Sequence, residues 1–159
     1  MTLDLPALIR RPTWSKDVCL WIGTEAALRE ALEGETHEFL DLLDLLQPDE
    51  DLPTDELGRA GVLDSRLDSR LQALKESLAG RCVLVVKNAA LLARYKVGLK
   101  PFYDWFGSDR RMTILTLASE THFRIPLHLQ RDVKCDFAAT VAYLTSCLVN
   151  PRLVFREKP

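Results

Sequence analysis

The chain has 159 residues, 47% of them hydrophobic, and a formal net charge of −2. This composition excludes wholesale disorder and predicts one domain with a substantial core. No apolar run approaches the ~20 residues that a membrane-spanning helix needs. Residues 1–12 also lack the apolar stretch of a signal peptide, so we expect a cytoplasmic protein without a membrane segment.

Short apolar strands alternate with helical segments along the chain. Segment 37–46 is ambiguous, since its apolar positions fit either a strand or a short amphipathic helix, and we favour a strand at its start. The other predicted strands are 17–22, 81–86, 111–118 and 153–155. The predicted helices are 25–32, 59–79, 89–95, 102–106 and 137–150. Thr24 and Asp136 are the predicted N-caps of the first and the last of them.

This alternation predicts an α/β fold, as a single three-layer domain with a mainly parallel five-stranded sheet. The longest helix carries a leucine stripe at helical spacing, which should face the sheet. Its members are Leu63, Leu67, Leu71, Leu74 and Leu78. Two segments are expected outside the regular elements: an N-terminal extension at 1–16 and an exposed acidic loop at 47–58, which contains two prolines.

In an open parallel sheet, ligands bind at the carboxyl ends of the strands. After Ile22 the chain continues Gly23-Thr24-Glu25. A phosphate-binding loop needs several glycines, a lysine and a hydroxyl group. Here there is one glycine, no lysine, and a glutamate whose charge repels phosphate. We therefore expect no ordinary nucleotide site.

The central strand ends in Lys87-Asn88, where a P-loop ATPase has acidic residues that hold magnesium. A lysine ammonium cannot coordinate a cation. The four cysteines form no CxxC pair and the three histidines are scattered, so the sequence predicts no zinc site. We expect neither a metal nor a cofactor.

Charge is distributed unevenly along the chain. Residues 24–79 include fifteen acidic and five basic residues, whereas residues 80–134 include ten basic and four acidic ones. Such asymmetry indicates either a surface for nucleic acid or an acidic protein partner, or two surfaces that complement each other within the fold. The region 87–111 mixes cations with aromatic residues, a pattern that suits phosphate contact and base stacking, although its aromatic residues also fit core packing. The candidate contacts for nucleic acid or a partner protein are Lys87, Arg94, Lys96, Lys100, Arg110 and Arg111.

The order of segments resembles a small P-loop NTPase related to AAA+ proteins. The matching stretches are Val18–Thr24, Cys82–Asn88 and Met112–Ser119. In that class these strands carry the phosphate loop, the metal-binding acid and a polar sensor. Leu91–Ala118 is also similar to the corresponding part of BrxF, the small P-loop protein of the BREX phage-defence systems, where a short helix and a positively charged turn precede a sensor-like strand. The resemblance implies a P-loop NTPase-like fold and a bacterial defence or DNA-transaction complex.

Three functional hypotheses follow. The leading one is a non-catalytic P-loop-like protein that binds other proteins. The second is a DNA-binding module that uses the basic-aromatic region 87–111. The third is an enzyme with an unrecognised site that includes Ser119, His122 or Cys135, although no GxSxG turn surrounds the serine.

Overall fold

A computed structural model describes residues 4–15, 17–48, 52–106, 110–126, 129 and 136–157. Within these residues, five strands form one sheet and every neighbouring pair is parallel. The strands are β1 (Val18–Ile22), β2 (His37–Asp41), β3 (Cys82–Lys87), β4 (Arg111–Leu117) and β5 (Val154–Arg156). Their spatial order is β2-β3-β4-β1-β5, so β3, β4 and β1 form the centre of the sheet. The predicted α/β class with a five-stranded parallel sheet is confirmed.

Five α-helices connect or precede these strands in the described part of the chain. They are α1 (Leu5–Ile9), α2 (Glu25–Ala31), α3 (Glu56–Ser77), α4 (Ala90–Arg94) and α5 (Phe137–Cys147). Short 3₁₀ helices cover Leu42–Leu46 and Glu120–His122, and a π-helical turn covers Phe102–Phe106. Each predicted helix has a counterpart, although α5 ends at Cys147 rather than at residue 150.

Strand side chains alternate between the two faces of the sheet, so both faces present apolar residues, and helices cover each face. Along β1, Val18, Leu20 and Ile22 pack into the core that α3, α4 and α5 complete. Cys19 and Trp21 point to the opposite core, which includes α1 and α2. The two cores confirm the three-layer arrangement.

The acidic loop expected at 47–58 is shorter than predicted, because α3 starts at Glu56. Asp55 begins the helix by accepting a hydrogen bond from the Gly58 amide at 2.8 Å, an N-cap contact that satisfies an otherwise unpaired donor. Gly58 is required there, since a Cβ on it would lie 2.6 Å from Pro53. The acidic residues and the two prolines, Pro48 and Pro53, had indicated a loop over the whole segment. The leucine stripe behaves as predicted: its first three members are fully buried and the last two pack against the same core.

The N-terminal segment is part of the core rather than only an extension. Helix α1 buries Leu5, Leu8 and Ile9, and Trp14 is 2% exposed. Arg81 anchors this segment to the start of β3 by donating to the carbonyl oxygens of Ile9, Arg11 and Pro12. Its guanidinium also lies over the Trp14 ring, 3.7 Å from the centroid. The sequence did not predict this packing, because the apolar residues of the segment are few and prolines interrupt them.

Candidate functional site

A cleft of about 500 Å³ lies at the carboxyl ends of the three central strands, where the sequence placed the candidate site. Trp21, Leu28, Val85 and Leu117 provide apolar surface, while Lys87 contributes a charge. The remaining lining comes from the segments that follow each strand: Gly23, Thr24, Glu25, Asn88, Ala90, Thr116, Ala118, Ser119, His122, Phe123 and Arg124. Parallel pairing brings these segments together because the strands all end at one edge of the sheet.

The loop after β1 is occupied by a carboxylate from the other end of the chain. The amide of Thr24 donates to one oxygen of Glu157 at 2.9 Å, and the Thr24 hydroxyl donates to the other at 3.0 Å. The same hydroxyl accepts from the Ala27 amide and so caps α2, as predicted. Gly23 allows this approach, since a Cβ there would lie 2.6 Å from the Cβ of Glu157. An internal anion therefore uses the groups that a phosphate would need.

The charge at the end of β3 is also paired within the protein. The Lys87 ammonium lies 3.2 Å from Glu25, which also accepts from Arg29 at 3.4 Å. The hydrogen bond from Lys87 is the main cause that lowers the pKa of Glu25, with a smaller contribution from Arg29. Glu25 thus remains ionised and offsets the lysine.

Asn88 supports the backbone at the same strand end. It has a left-handed conformation with φ of 58°, and its side-chain amide donates to Asp41 at 2.6 Å. The same Asp41 oxygen accepts from the Leu43 amide and begins the 3₁₀ helix after β2. Asn88 therefore connects β3 to β2. The role of Asp41 was not predicted from the sequence. Its one local indication was its partner Asn88, an asparagine that directly follows a strand.

Three polar side chains after β4 form a small cluster, and two of them, Ser119 and His122, line the cleft. The Ser119 hydroxyl lies 3.1 Å from His122 Nδ1 and 3.2 Å from the Thr121 hydroxyl, which is itself 3.1 Å from Nδ1. Ser119 does not cap the following 3₁₀ helix through its side chain. The structure therefore brings together two of the three residues named for an unrecognised enzyme site, while Cys135 lies outside the described residues.

The six basic candidates do not form one surface. Arg94 is buried: its guanidinium donates to both oxygens of Glu56, at 2.7 and 2.8 Å, and to the Leu129 carbonyl. Arg111 is opposite Cys82 in the ladder, so it lies roughly 16 Å along the sheet from Lys87 at ~3.3 Å per residue.

The other three basic candidates are exposed at separate places. Lys96 lies over the Tyr143 ring, 4.9 Å from its centroid, and Lys100 pairs with Asp104 at 2.5 Å. Arg110 immediately precedes β4 at the amino edge of the sheet. Arg94 therefore faces the interior, and Lys87 and Arg111 lie far apart along the sheet. Contact of the six residues with nucleic acid or a partner protein stays a prediction.

Ion pairs within the fold explain part of the uneven charge. Glu25 pairs with Lys87, Glu35 with Arg81 and Glu56 with Arg94, so each pair joins the acidic segment to the basic one. This supports the alternative that the two charged regions complement each other internally.

Cys19 and Cys82 are free thiols that are buried in the core. Burial is the main cause that raises the pKa of both. Among the described residues, no three His, Cys, Asp or Glu side chains lie close enough to hold a metal ion. None of the described helices combines the length and the apolar character required to cross a bilayer.

Comparisons with protein-family models, with curated proteins and with solved structures each found no match to this chain.

Proposed function

We propose that this protein is a non-catalytic P-loop-like protein that acts as a protein-interaction component of a bacterial complex, in phage defence or a DNA transaction. The observation that carries the proposal is Glu157 bound to Thr24. A carboxylate in that position repels a nucleotide phosphate and already uses the amide and the hydroxyl that would bind it.

The arrangement of the strands supports the P-loop-like part of the proposal. The three stretches that resemble P-loop proteins coincide with β1, β3 and β4, which stand side by side. Their ends meet at one cleft, as the resemblance requires. Lys87 occupies the position expected of a metal-binding acid and is paired with Glu25, so this end of the sheet offers a cation in place of a cation ligand.

Exposed carboxylates of the acidic segment support the protein-interaction part. Leu57 on α3 is 86% exposed and Val149 after α5 is 78% exposed. Single exposed apolar side chains are ordinary on protein surfaces, so these two are candidate contact positions only. Carboxylates that remain exposed on the acidic segment favour a partner with a basic surface: Glu30, Glu33, Glu38, Asp44, Asp64 and Glu76.

Calorimetric titration with ATP and Mg²⁺ tests the non-catalytic part. We expect no heat of binding and no phosphate release from the wild-type protein, and we expect Glu157→Ala to remain inactive because no lysine replaces the missing phosphate ligand. Tight binding of ATP by the wild-type protein would overturn the proposal.

Size analysis of the tagged protein from its native cell tests the interaction part. We expect a complex larger than the 18.0 kDa monomer. Leu57→Glu or Val149→Glu should reduce the complex if that side chain is in the interface, while Ala26→Glu at an exposed position of α2 serves as the control. A protein that elutes only as a monomer would argue against an interaction role.

One observation favours an enzyme as a second candidate. Ser119 and His122 lie 3.1 Å apart in the cleft, a distance at which the imidazole can accept the hydroxyl proton. Hydrolysis of a p-nitrophenyl ester that is lost in Ser119→Ala and retained in Thr121→Val would support it. Equal rates in all three proteins would remove it.

The positions of the basic residues do not favour the DNA-binding hypothesis. Its direct test is a gel-shift series at low salt, because phosphate contacts weaken steeply as salt rises. We expect no shift. A shift that the exposed-residue variants Lys96→Ala and Lys100→Ala abolish would restore DNA binding as the leading function.

A further inference from the structure

We propose that the cleft binds a small monoanion with a flat apolar body, such as an aromatic carboxylate. This site is additional to the proposed function, whose protein contacts are made by outer surfaces. The inference is drawn from three properties of the cleft: its shape, its charge and the polar groups on its wall.

The shape and the floor of the cleft suit an apolar body. Its volume of about 500 Å³ lies within the range of small-molecule sites, about 300–1,000 Å³. The floor consists of Leu28, Val85, Leu117 and the nearly buried Trp21. At the mouth, Phe123 is held by an edge-to-face contact with Phe137, with ring centroids 5.8 Å apart. An aromatic ring of the ligand would displace water from these apolar surfaces.

The charge of the lining suits one negative group. Among the lining residues, Lys87 and Arg124 are positive and Glu25 is negative. Because Lys87 pairs with Glu25, we assign the binding of one negative group to Arg124. Arg124 donates to the Phe123 carbonyl at 2.6 Å through Nη1, one of the nitrogens of a guanidinium that carries five N–H donors. A planar guanidinium binds a carboxylate or a sulfonate well.

Two features determine which anion fits: the polar side chains that line the cleft, and Glu157, which already binds the Thr24 amide. Ser119 places its hydroxyl group beside the His122 ring, and both residues line the cleft, where they can bind the oxygens of the ligand. Glu157 covers the amide of Thr24, so a multiply charged phosphate would meet a carboxylate. A monoanion bound by Arg124 avoids that repulsion.

The probe for this site is anilinonaphthalene sulfonate, a flat apolar monoanion whose fluorescence increases in apolar surroundings. We expect saturable binding with one site per chain and energy transfer from Trp21. The neutral analogue phenylnaphthylamine should bind more weakly, and 2-naphthoate should displace the dye whereas naphthalene-2-methanol should not.

Three variants locate the binding. Arg124→Gln should weaken it about 10- to 100-fold, the effect of one charge-assisted hydrogen bond. Ala118→Phe places a ring at an exposed position of the lining and should abolish binding. Lys96→Gln removes an exposed cation that does not line the cleft, and it should leave the affinity unchanged.

Absence of dye binding, or equal affinity in the wild-type protein and Arg124→Gln, would overturn the inference. The arginine variant decides the question even if Ala118→Phe fails to fold. ATP titration tests the proposed function separately. Whether or not the dye binds, the Thr24 loop can still be tested for nucleotide binding, so the failure of one proposal is distinguishable from the failure of the other.

Discussion

Replacement of Glu56 by alanine tests whether Arg94 is a structural residue or a surface contact. Glu56 receives two hydrogen bonds from Arg94, whose side chain is 1% exposed. Removal of one partner from a buried ion pair costs about 3–5 kcal/mol, because the remaining charge is desolvated. Here Glu56 is 41% exposed, so water screens part of the attraction, and Arg94 retains its bond to the Leu129 carbonyl at 2.8 Å. We therefore expect a loss of about 2–3 kcal/mol in the free energy of unfolding.

Urea denaturation followed by tryptophan fluorescence measures this loss, since Trp14 and Trp21 are both buried. With a slope of about 2 kcal/mol/M, the midpoint should fall by roughly 1–1.5 M. The matched control is Glu76→Ala, which removes an exposed carboxylate from the same helix and should change the stability by less than about 0.5 kcal/mol.

A double-mutant cycle separates the pair from its surroundings. Arg94→Met removes the charge and keeps an apolar side chain, so the combination with Glu56→Ala should cost less than the sum of the two single changes. If Glu56→Ala costs less than about 0.5 kcal/mol, as an exposed pair does, the structural role assigned to Arg94 is refuted.

Three further predictions concern the N-terminal anchor, two glycines and one ion pair. Arg81→Met removes three bonds to the N-terminal segment and should lower the free energy of unfolding by about 2 kcal/mol; unchanged trypsin cleavage in residues 4–15 would contradict the anchor. Gly80→Ala should destabilise the fold by about 1 kcal/mol because the φ of Gly80 is +81°. Gly61→Ala within α3 should stabilise the fold by about 0.5–1 kcal/mol. The two urea midpoints must therefore move in opposite directions. Because the pKa of Glu25 is lowered in the folded state, ionised Glu25 stabilises the fold at pH values above its usual pKa of 4.5. This contribution is lost as the pH falls below 4.5 and through the folded-state pKa. Lys87→Met should therefore reduce the acid dependence of stability below pH 4.5, and identical pH profiles would contradict the ion pair.

Local patterns predicted most of the fold. The apolar run at Cys82–Val86 indicated a central strand, and the leucine stripe indicated the buried face of α3. The caps at Thr24 and Asp136 were also predicted, since an N-cap contact joins residues three positions apart. Helix α1 was missed because its few apolar residues become informative only when the sheet and Arg81 are present.

The candidate site was predicted only in part. Its place at the ends of three strands followed from the alternation of elements, and the loss of phosphate-binding residues was visible in Gly23-Thr24-Glu25. The grouping of Arg94 with exposed cations was wrong, because nothing in its neighbourhood along the chain reveals Glu56, 38 positions earlier.

By itself, the sequence determined the class of the fold, the order of its elements and the absence of an ordinary phosphate loop. Periodicity, caps and strand ends are local properties, and neighbouring residues are enough to define them. Only the tertiary structure decided which charges are internal and what contacts the loop after β1. Thr24 and Glu157 are 133 positions apart along the chain. They meet because β5 pairs with β1, which places Glu157 beside the loop that follows β1.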